Sequence, residues 1–346
     1  MKGRIVALDW IKGRKAAALI VDGALDDLLI ENPDDGTPAP GAIYRAICDR
    51  PLKGQGGMIL RLPDGASAYL RQGKGYRPGQ PLLVQVTGRA EDGKATPVTT
   101  RVLFKSRFAI VTPDAPGINI SRRIKDEDTR VRLLEIAHEV MGDYDAGLIL
   151  RSAAASEDDD EIAGDIAAMR DLSLAIAQDS EGRLPELLVD GPDPHHLAWR
   201  DWEAPDMIAD AEGSFETHGV DEMIAQTQGA RVNLPGGAYS FVEATRALVA
   251  VDVNTGGDTS PAAGLKANVA TARALPRALR CRGLGGQITI DFAPMLKKDR
   301  RQLEQVLRAA FRADPVETAL AGWTPLGHYE LQRKRERLPL AESLPE

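Results

Sequence analysis

Two segments near the C-terminus run apolar and then end on an acid: Leu248-Val249-Ala250-Val251-Asp252 and Gln287-Ile288-Thr289-Ile290-Asp291. β-Branched runs of this length predict buried strands. A strand near 239–242 precedes the first run. A helix from about 262 to 280 joins the two, with Pro276 expected to kink or end its last turns. After the second run, Leu303, Val306, Leu307, Ala310 and Phe311 recur at helical spacing on a basic helix. Further upstream, residues 1–35 read as a β-hairpin with its turn at Val21-Asp22-Gly23-Ala24, and 32–38 as a linker. From 41 to 100 come five short β-rich runs: Ile43–Cys48, Gly57–Leu62, Ser67–Leu70, Pro81–Val86 and Val98–Val102. Gly- and Pro-rich breaks between them suggest a small barrel of the OB type. Residues 101–180 read as strand, loop, helix, strand, helix. One helix carries Val131, Leu134, His138 and Met141 on a stripe, with His138 read as a core residue. The other carries Ile162, Ile166, Met169, Ser173 and Ile176.

An acid at the end of a buried strand is costly unless it is paired or binds a cation. Two of them, on strands linked by one helix, can converge on one Mg2+, which needs few protein carboxylates and keeps several waters. The plainer alternative is that both aspartates cap helices or accept backbone hydrogen bonds.

These runs also carry a family resemblance. AVDVNTG at 250–256, LKANVATA at 265–272 and RCRGLGGQITIDF at 280–292 resemble the catalytic core of the ribonuclease E/G family. Asn119-Ile120-Ser121-Arg122-Arg123-Ile124, Leu148-Ile149-Leu150-Arg151-Ser152-Ala153 and Leu234-Pro235-Gly236-Gly237 resemble further family segments. The resemblance implies an α/β multi-subdomain chain: a ribonuclease H-like and deoxyribonuclease I-like core with an inserted OB-fold barrel and a 5′-sensor subdomain. The implied parts are 1–38 (ribonuclease H-like hairpin), 39–100 (OB-fold insert), 101–180 (5′-sensor), 181–228 (reduced ribonuclease H-like part) and 229–346 (deoxyribonuclease I-like catalytic part). It implies Mg2+, with Mn2+ as a substitute, held by Asp252 and Asp291 and supported by Asn254. A water activated at the ion would cleave single-stranded RNA, leaving a 5′-phosphate and a 3′-hydroxyl. Arg151 and Ser152 fall on the pair that senses a 5′-monophosphate. Their guanidinium fork and hydroxyl suit a terminal phosphate. Tyr69 falls on a base-stacking aromatic and Lys94, in the Asp92-Gly93-Lys94 turn, on an RNA-contacting lysine.

Charge distribution matters more than its sum here. The chain has 346 residues, 43 Lys and Arg against 51 Asp and Glu, and a formal net charge of -8, so overall charge does not announce a nucleic-acid partner. Base is nonetheless concentrated at Arg101, Lys105 and Arg107, at Arg122-Arg123, at Lys297-Lys298 with Arg300-Arg301, and at 333–335. Of these, Arg122, Arg123, Lys297, Lys298 and Arg301 are the candidate RNA contacts. The two cysteines, Cys48 and Cys281, lie far apart and read as inert buried thiols; neither a disulfide framework nor a zinc site is expected. The family's CxxC zinc link and small C-terminal domain are absent from the sequence, so zinc-linked assembly is not expected and the oligomeric state stays open. The N-terminal apolar stretch is too short for a signal peptide and no segment is long enough to span a membrane, which points to the cytoplasm.

Several positions depart from the family pattern. Ile59 stands where a second stacking aromatic is expected, Ser106 where the family has glycine, and Pro294 where it has an acid. Glu317 aligns approximately with the arginine that orders the 5′ pocket, so a weakened sensor is expected. The loop 255–263 is shortened. The segment Gly191–His196 reads as a solvent-facing loop whose His195-His196 pair lacks a third metal ligand, and Trp199 and Trp202 read as core residues. Two other classes stay open: an RNA-binding module with little catalysis, and a different metal-dependent phosphodiesterase. Tyr69 and Lys94 favour RNA over the latter, and the acid pair favours an enzyme over the former.

Overall fold

The computed structural model describes residues 2–52, 54, 56–90, 93–258 and 260–344, and all elements and counts are of these. Asp92, beside Lys94, and Thr259, in the shortened loop, lie outside the described residues. The chain divides into two compact units, residues 1–33 with 205–346, and residues 34–204.

The first unit begins with β1 (Arg4–Ile11), β2 (Arg14–Val21) and β3 (Ala24–Ile30), all antiparallel neighbours. The expected single hairpin is a three-stranded meander. Its second turn, Asp22-Gly23, was anticipated; its first, Lys12-Gly13, was not. Both turn pairs have positive φ at each residue, the conformation that matches the twist of tight hairpins.

In the second unit, β4 (Ile43–Pro51), β5 (Met58–Arg61), β6 (Ser67–Leu70), β7 (Pro81–Val86) and β8 (Thr96–Thr99) close a five-stranded OB-like barrel. β4 pairs with both β5 and β7, and β6 runs parallel to β8. Inside sit Ala46, Cys48, Met58, Leu60, Ala68, Leu70 and Val84. Next come β9 (Phe104–Lys105), β10 (Ala109–Thr112), β11 (Gly117–Ile120), α1 (Glu127–Met141), β12 (Gly147–Leu150) and α2 (Asp159–Asp179). The sheet β11-β12-β10-β9 shares one core with both helices. The α2 stripe is as expected, with Ile162, Ile166, Ser173 and Ile176 buried. The α1 stripe is not: Leu133, Ala137 and Met141 are buried, Val131 and His138 are exposed, and His138 is no core residue. The acid run at 158–161 caps α2 and fills its first turn, where negative charge meets the positive helix end. β13 (Glu186–Val189) adds to the barrel at β4. The expected loop at 191–196 gives way to α3 (Pro194–Asp201), capped by Asp193.

The first unit resumes with β14 (Met207–Ala209), which pairs in parallel with β1. The 181–228 stretch therefore sends β13 to the barrel and β14 to the N-terminal meander. α4 (Ser214–Thr217) and α5 (Val220–Gln228) cover that meander through Phe215, Val220 and Ile224. There follow β15 (Arg231–Asn233), β16 (Tyr239–Ala244), β17 (Val249–Asn254), α6 (Pro261–Cys281), β18 (Gly286–Asp291), α7 (Arg300–Ala313), β19 (Thr318–Trp323), β20 (Tyr329–Arg333) and α8 (Leu340–Ser343). Pro276 does not end α6, which continues to Cys281. Six strands form one sheet in the order β15-β16-β17-β18-β20-β19, and β17 and β18 are parallel, joined by α6. α6 and α7 cover one face through Ala267, Leu275, Leu279, Leu303 and Leu307.

A buried ionic cluster ties this unit together. Arg280 pairs with Asp26, Asp27 and Asp314, Arg333 with Asp314, and Arg337 with Asp27. The Arg333 and Asp314 side chains are each 1% exposed. Burial pulls the Arg280 pKa down, but Asp27, Asp26 and Asp314 outweigh it and hold the guanidinium charged more firmly than usual.

Candidate active site

β17 and β18 are not buried on both faces as expected. Val249, Val251 and Val253 on β17, and Ile288 and Ile290 on β18, face the helices, while Asp252 and Asp291 point the other way into the open and are exposed. The alternation follows from strand geometry: successive side chains take opposite faces, and helices cover only one. The register pairs Asp252 directly with Asp291 across the parallel strands. Their Cα atoms are then one strand spacing apart, about 5 Å, with both side chains on one face.

Neither aspartate caps a helix. Asp252 Oδ2 accepts a hydrogen bond from Asn254 Nδ2 at 2.7 Å. Asp291 Oδ1 lies 3.8 Å from His328 Nε2. Among the described residues no Lys or Arg pairs with either. Two like charges set directly opposite repel, so the donor set of two carboxylates and an amide fits a divalent cation. Among the described residues no group of three or more His, Cys, Asp or Glu is arranged to hold a metal.

Asn268, fully buried on α6, fixes the chain just past Asp291. Its Nδ2 donates to the Ala293 carbonyl at 2.9 Å, and its Oδ1 accepts from the Ala293 N–H at 2.9 Å. Gly264 lies against the Pro294 carbonyl so closely that a Cβ there would stand 2.2 Å from the oxygen. The shortened loop is braced too. Gly256, at φ +75°, passes over Gly237, where a Cβ would meet the carbonyl oxygen at 2.6 Å. Asp258 Oδ1 accepts from Ser260 N, and Ser260 Oγ caps α6; hydrogen bonds from Ser260 hold the Asp258 carboxyl below its usual range. Lys297, Lys298 and Arg301 are exposed, six to ten residues beyond Asp291.

Arg151 and Ser152 follow β12, and the Arg151 fork is already filled. Nη1 donates to the carbonyls of Ser106 and Arg200, and Nη2 to Asp201 Oδ1 at 2.9 Å. Burial raises the Asp201 carboxyl, but Arg200 and Arg151 beside it win and hold it below the ordinary value. Ser152 opens a short 3-10 turn. Glu317 is exposed just ahead of β19, where its carbonyl accepts from Lys334 N. Trp199 is no core residue either. It is 48% exposed, with Arg107 Cζ 5.8 Å from its ring and His196 5.6 Å away. Arg122 and Arg123 are exposed after β11, and Arg123 pairs with Glu203 at 2.6 Å.

On the barrel, Tyr69 faces outward and half-buried between Ile59 of β5 and Pro97 of β8. Its ring lies over Gly57, where a Cβ would come within 2.4 Å of it. Lys94 is exposed in the turn before β8. Cys48 and Cys281 are buried in different units, and burial pushes the Cys281 thiol up to about 12.

Sequence reading missed His328, Asn268 as a brace, and Asp201. His328 and Asp201 meet their partners only through long-range pairing. Asn268 lay within the LKAN segment but carried no structural role there.

Comparison with known proteins shows the family. The chain belongs to the ribonuclease E/G family, whose model matches residues 104–209 and 206–336. It is 30% identical over 302 residues to Ribonuclease G of Salmonella typhimurium and to Ribonuclease G of Escherichia coli K12, covering 75% of this chain and 61% of each relative. Ribonuclease E of Synechocystis is 26% identical over 388 residues, covering 99% of this chain and 57% of the relative. The chain thus spans less than two thirds of the length of these relatives. No helix of the described residues is long and apolar enough to cross a membrane.

Proposed function

We propose that this protein is a divalent-metal-dependent endoribonuclease that cleaves single-stranded RNA at the open face of the six-stranded sheet. The observation that carries the reading is the in-register pair Asp252 and Asp291, exposed and without a Lys or Arg partner among the described residues. Asp252 and Asp291 would hold Mg2+, with Mn2+ as a substitute. Asn254 orients Asp252 through its hydrogen bond. When bound, such an ion supplies Lewis-acid stabilisation of charge on the phosphodiester and acidifies water for attack. Lys297, Lys298 and Arg301 neutralise neighbouring phosphates, and Asn268 keeps the strand end in place. Residues 229–346 read as the deoxyribonuclease I-like catalytic part. Tyr69 and Lys94 on the OB-like barrel supply stacking and charge for an unpaired strand, with Arg122 and Arg123 as further phosphate contacts.

Arg151 and Ser152 read as a 5′-phosphate sensor in which Asp201 competes with the phosphate for the guanidinium. A 5′-monophosphate must displace that carboxylate, so its advantage over a 5′-hydroxyl is small. The sequence assigned this weakening to Glu317; the contact of Asp201 with Arg151 gives a second ground for it.

The test is cleavage of a fluorescent single-stranded RNA with Mg2+ and with EDTA. Internal cleavage with Mg2+ that EDTA and Asp252→Asn both abolish is expected. RNA bound but left intact in Mg2+ would instead establish an RNA-binding module.

A further inference from the structure

The open face beside the acid pair carries two aromatic rings. On β16, Ser240 and Val242 face the core, while Tyr239 and Phe241 lie half-buried on the opposite face and belong to no core cluster. This placement inverts what burial alone would select: a hydroxyl goes inward and two rings stay out. The register sets Arg231, Phe241, Asp252 and Asp291 in one row across four neighbouring strands, and Asn233, Tyr239 and Asn254 in the adjoining row. Phe241 is therefore one strand spacing, about 5 Å, from Asp252. Arg231 lays its guanidinium 4.1 Å over the Tyr239 ring, steadied by Nε donating to Asn233 Oδ1 at 3.0 Å. Tyr239 in turn meets Phe241 edge-on, with centroids 5.6 Å apart. Beyond Phe241 the next residue on this face is the exposed Glu243, so rings and cation are confined to the end of β16 that flanks Asp252 and Asn254.

We propose that Phe241, with the Arg231–Tyr239 stack, is a nucleobase platform that seats the base next to the scissile phosphate. The inference rests on the endoribonuclease reading and adds the ligand of a subsite within it: one unpaired base of single-stranded RNA. A ring offers a flat apolar face to any base, and a guanidinium adds a second stacking plane and a charge for the adjoining phosphate. Stacking here anchors the nucleotide at the edge of the acid pair, so its phosphodiester is delivered to Asp252 and Asp291. Such a platform is tolerant of sequence, because every base has a π-face.

The test measures RNA binding by fluorescence anisotropy in EDTA and cleavage in Mg2+, for wild type, Phe241→Thr and Phe241→Trp. Threonine keeps strand propensity and removes the ring; tryptophan keeps stacking. Phe241→Thr should bind about 5- to 100-fold more weakly at an unchanged melting temperature, while Phe241→Trp stays near wild type. An abasic nucleotide at one position beside the cleaved bond should weaken wild-type binding equally, and its loss should not add to that of Phe241→Thr. Wild-type binding by a folded Phe241→Thr, or losses that add at every abasic position, would overturn the platform while leaving the nuclease reading intact. Absence of both binding and cleavage by wild type would overturn the two together.

Discussion

Two pairs of aspartates in the same unit are treated in opposite ways. Asp27 and Asp314 are buried and gripped by Arg280, Arg333 and Arg337. Asp252 and Asp291 stand on an open sheet face, opposite each other, with an amide and an imidazole as their nearest polar partners. Arginines are not scarce here. They are committed to one acid pair and withheld from the other. The first arrangement fixes β3, α6, α7 and β20 against one another. The second leaves negative charge for something the chain itself does not supply.

The largest effect expected from this contrast is structural. Asp314→Asn leaves Arg280 and Arg333 short of a charge in a dry site and should cost about 3–5 kcal/mol, read as a lowered urea midpoint. A midpoint within experimental error of wild type would show that the cluster does not hold the unit together.

A middle-sized effect concerns Arg151. Asp201→Asn removes the competing charge, so a 5′-monophosphate should gain about tenfold over a 5′-hydroxyl in cleavage rate, the worth of one charged hydrogen bond. Glu317→Arg should change that ratio little. If Glu317→Arg restores the preference and Asp201→Asn does not, the competing group has been misassigned.

Smaller effects follow from titration. The Asp201 carboxyl is held low in the folded chain, so the pairing energy is present above about pH 3.9, the unfolded value, and fades as pH falls through the folded one. An NMR titration midpoint for Asp201 at or above the ordinary value would mean the fork is open. The Cys281 thiol is held near 12, so its protonated form is favoured by folding. Its contribution is complete below about pH 8.5 and is lost as pH rises towards 12. Stability should therefore sag across that alkaline window, and Cys281→Ala should flatten the sag. An identical slope in both proteins would place the thiol in a wetter site.

What the sequence revealed depended on how local the signal was. The barrel strands and the α2 stripe were legible because alternation and helical period act within a few residues. On α1 the largest apolar residues suggested the wrong face; Ala137, small and easily overlooked, sits between Leu133 and Met141 on the true one. The two acids were legible from their runs, but their exposure was not, because it depends on helices covering only one side of the sheet. His328 reaches Asp291 because β20 lies beside β18, and Asp201 reaches Arg151 across fifty residues; no short-range pattern records either pairing.

The most direct measurement compares Asp252→Asn with Asp314→Asn in two readouts, RNA cleavage in Mg2+ and melting temperature. The expected result is a double dissociation. Asp252→Asn loses about a hundredfold or more of the cleavage rate and melts at or slightly above wild type, since one of two opposed charges is gone. Asp314→Asn melts well below wild type but, while folded at low temperature, still cleaves. Cleavage at the wild-type rate by Asp252→Asn, or loss of its fold, would contradict the claim that this pair is held open for catalysis.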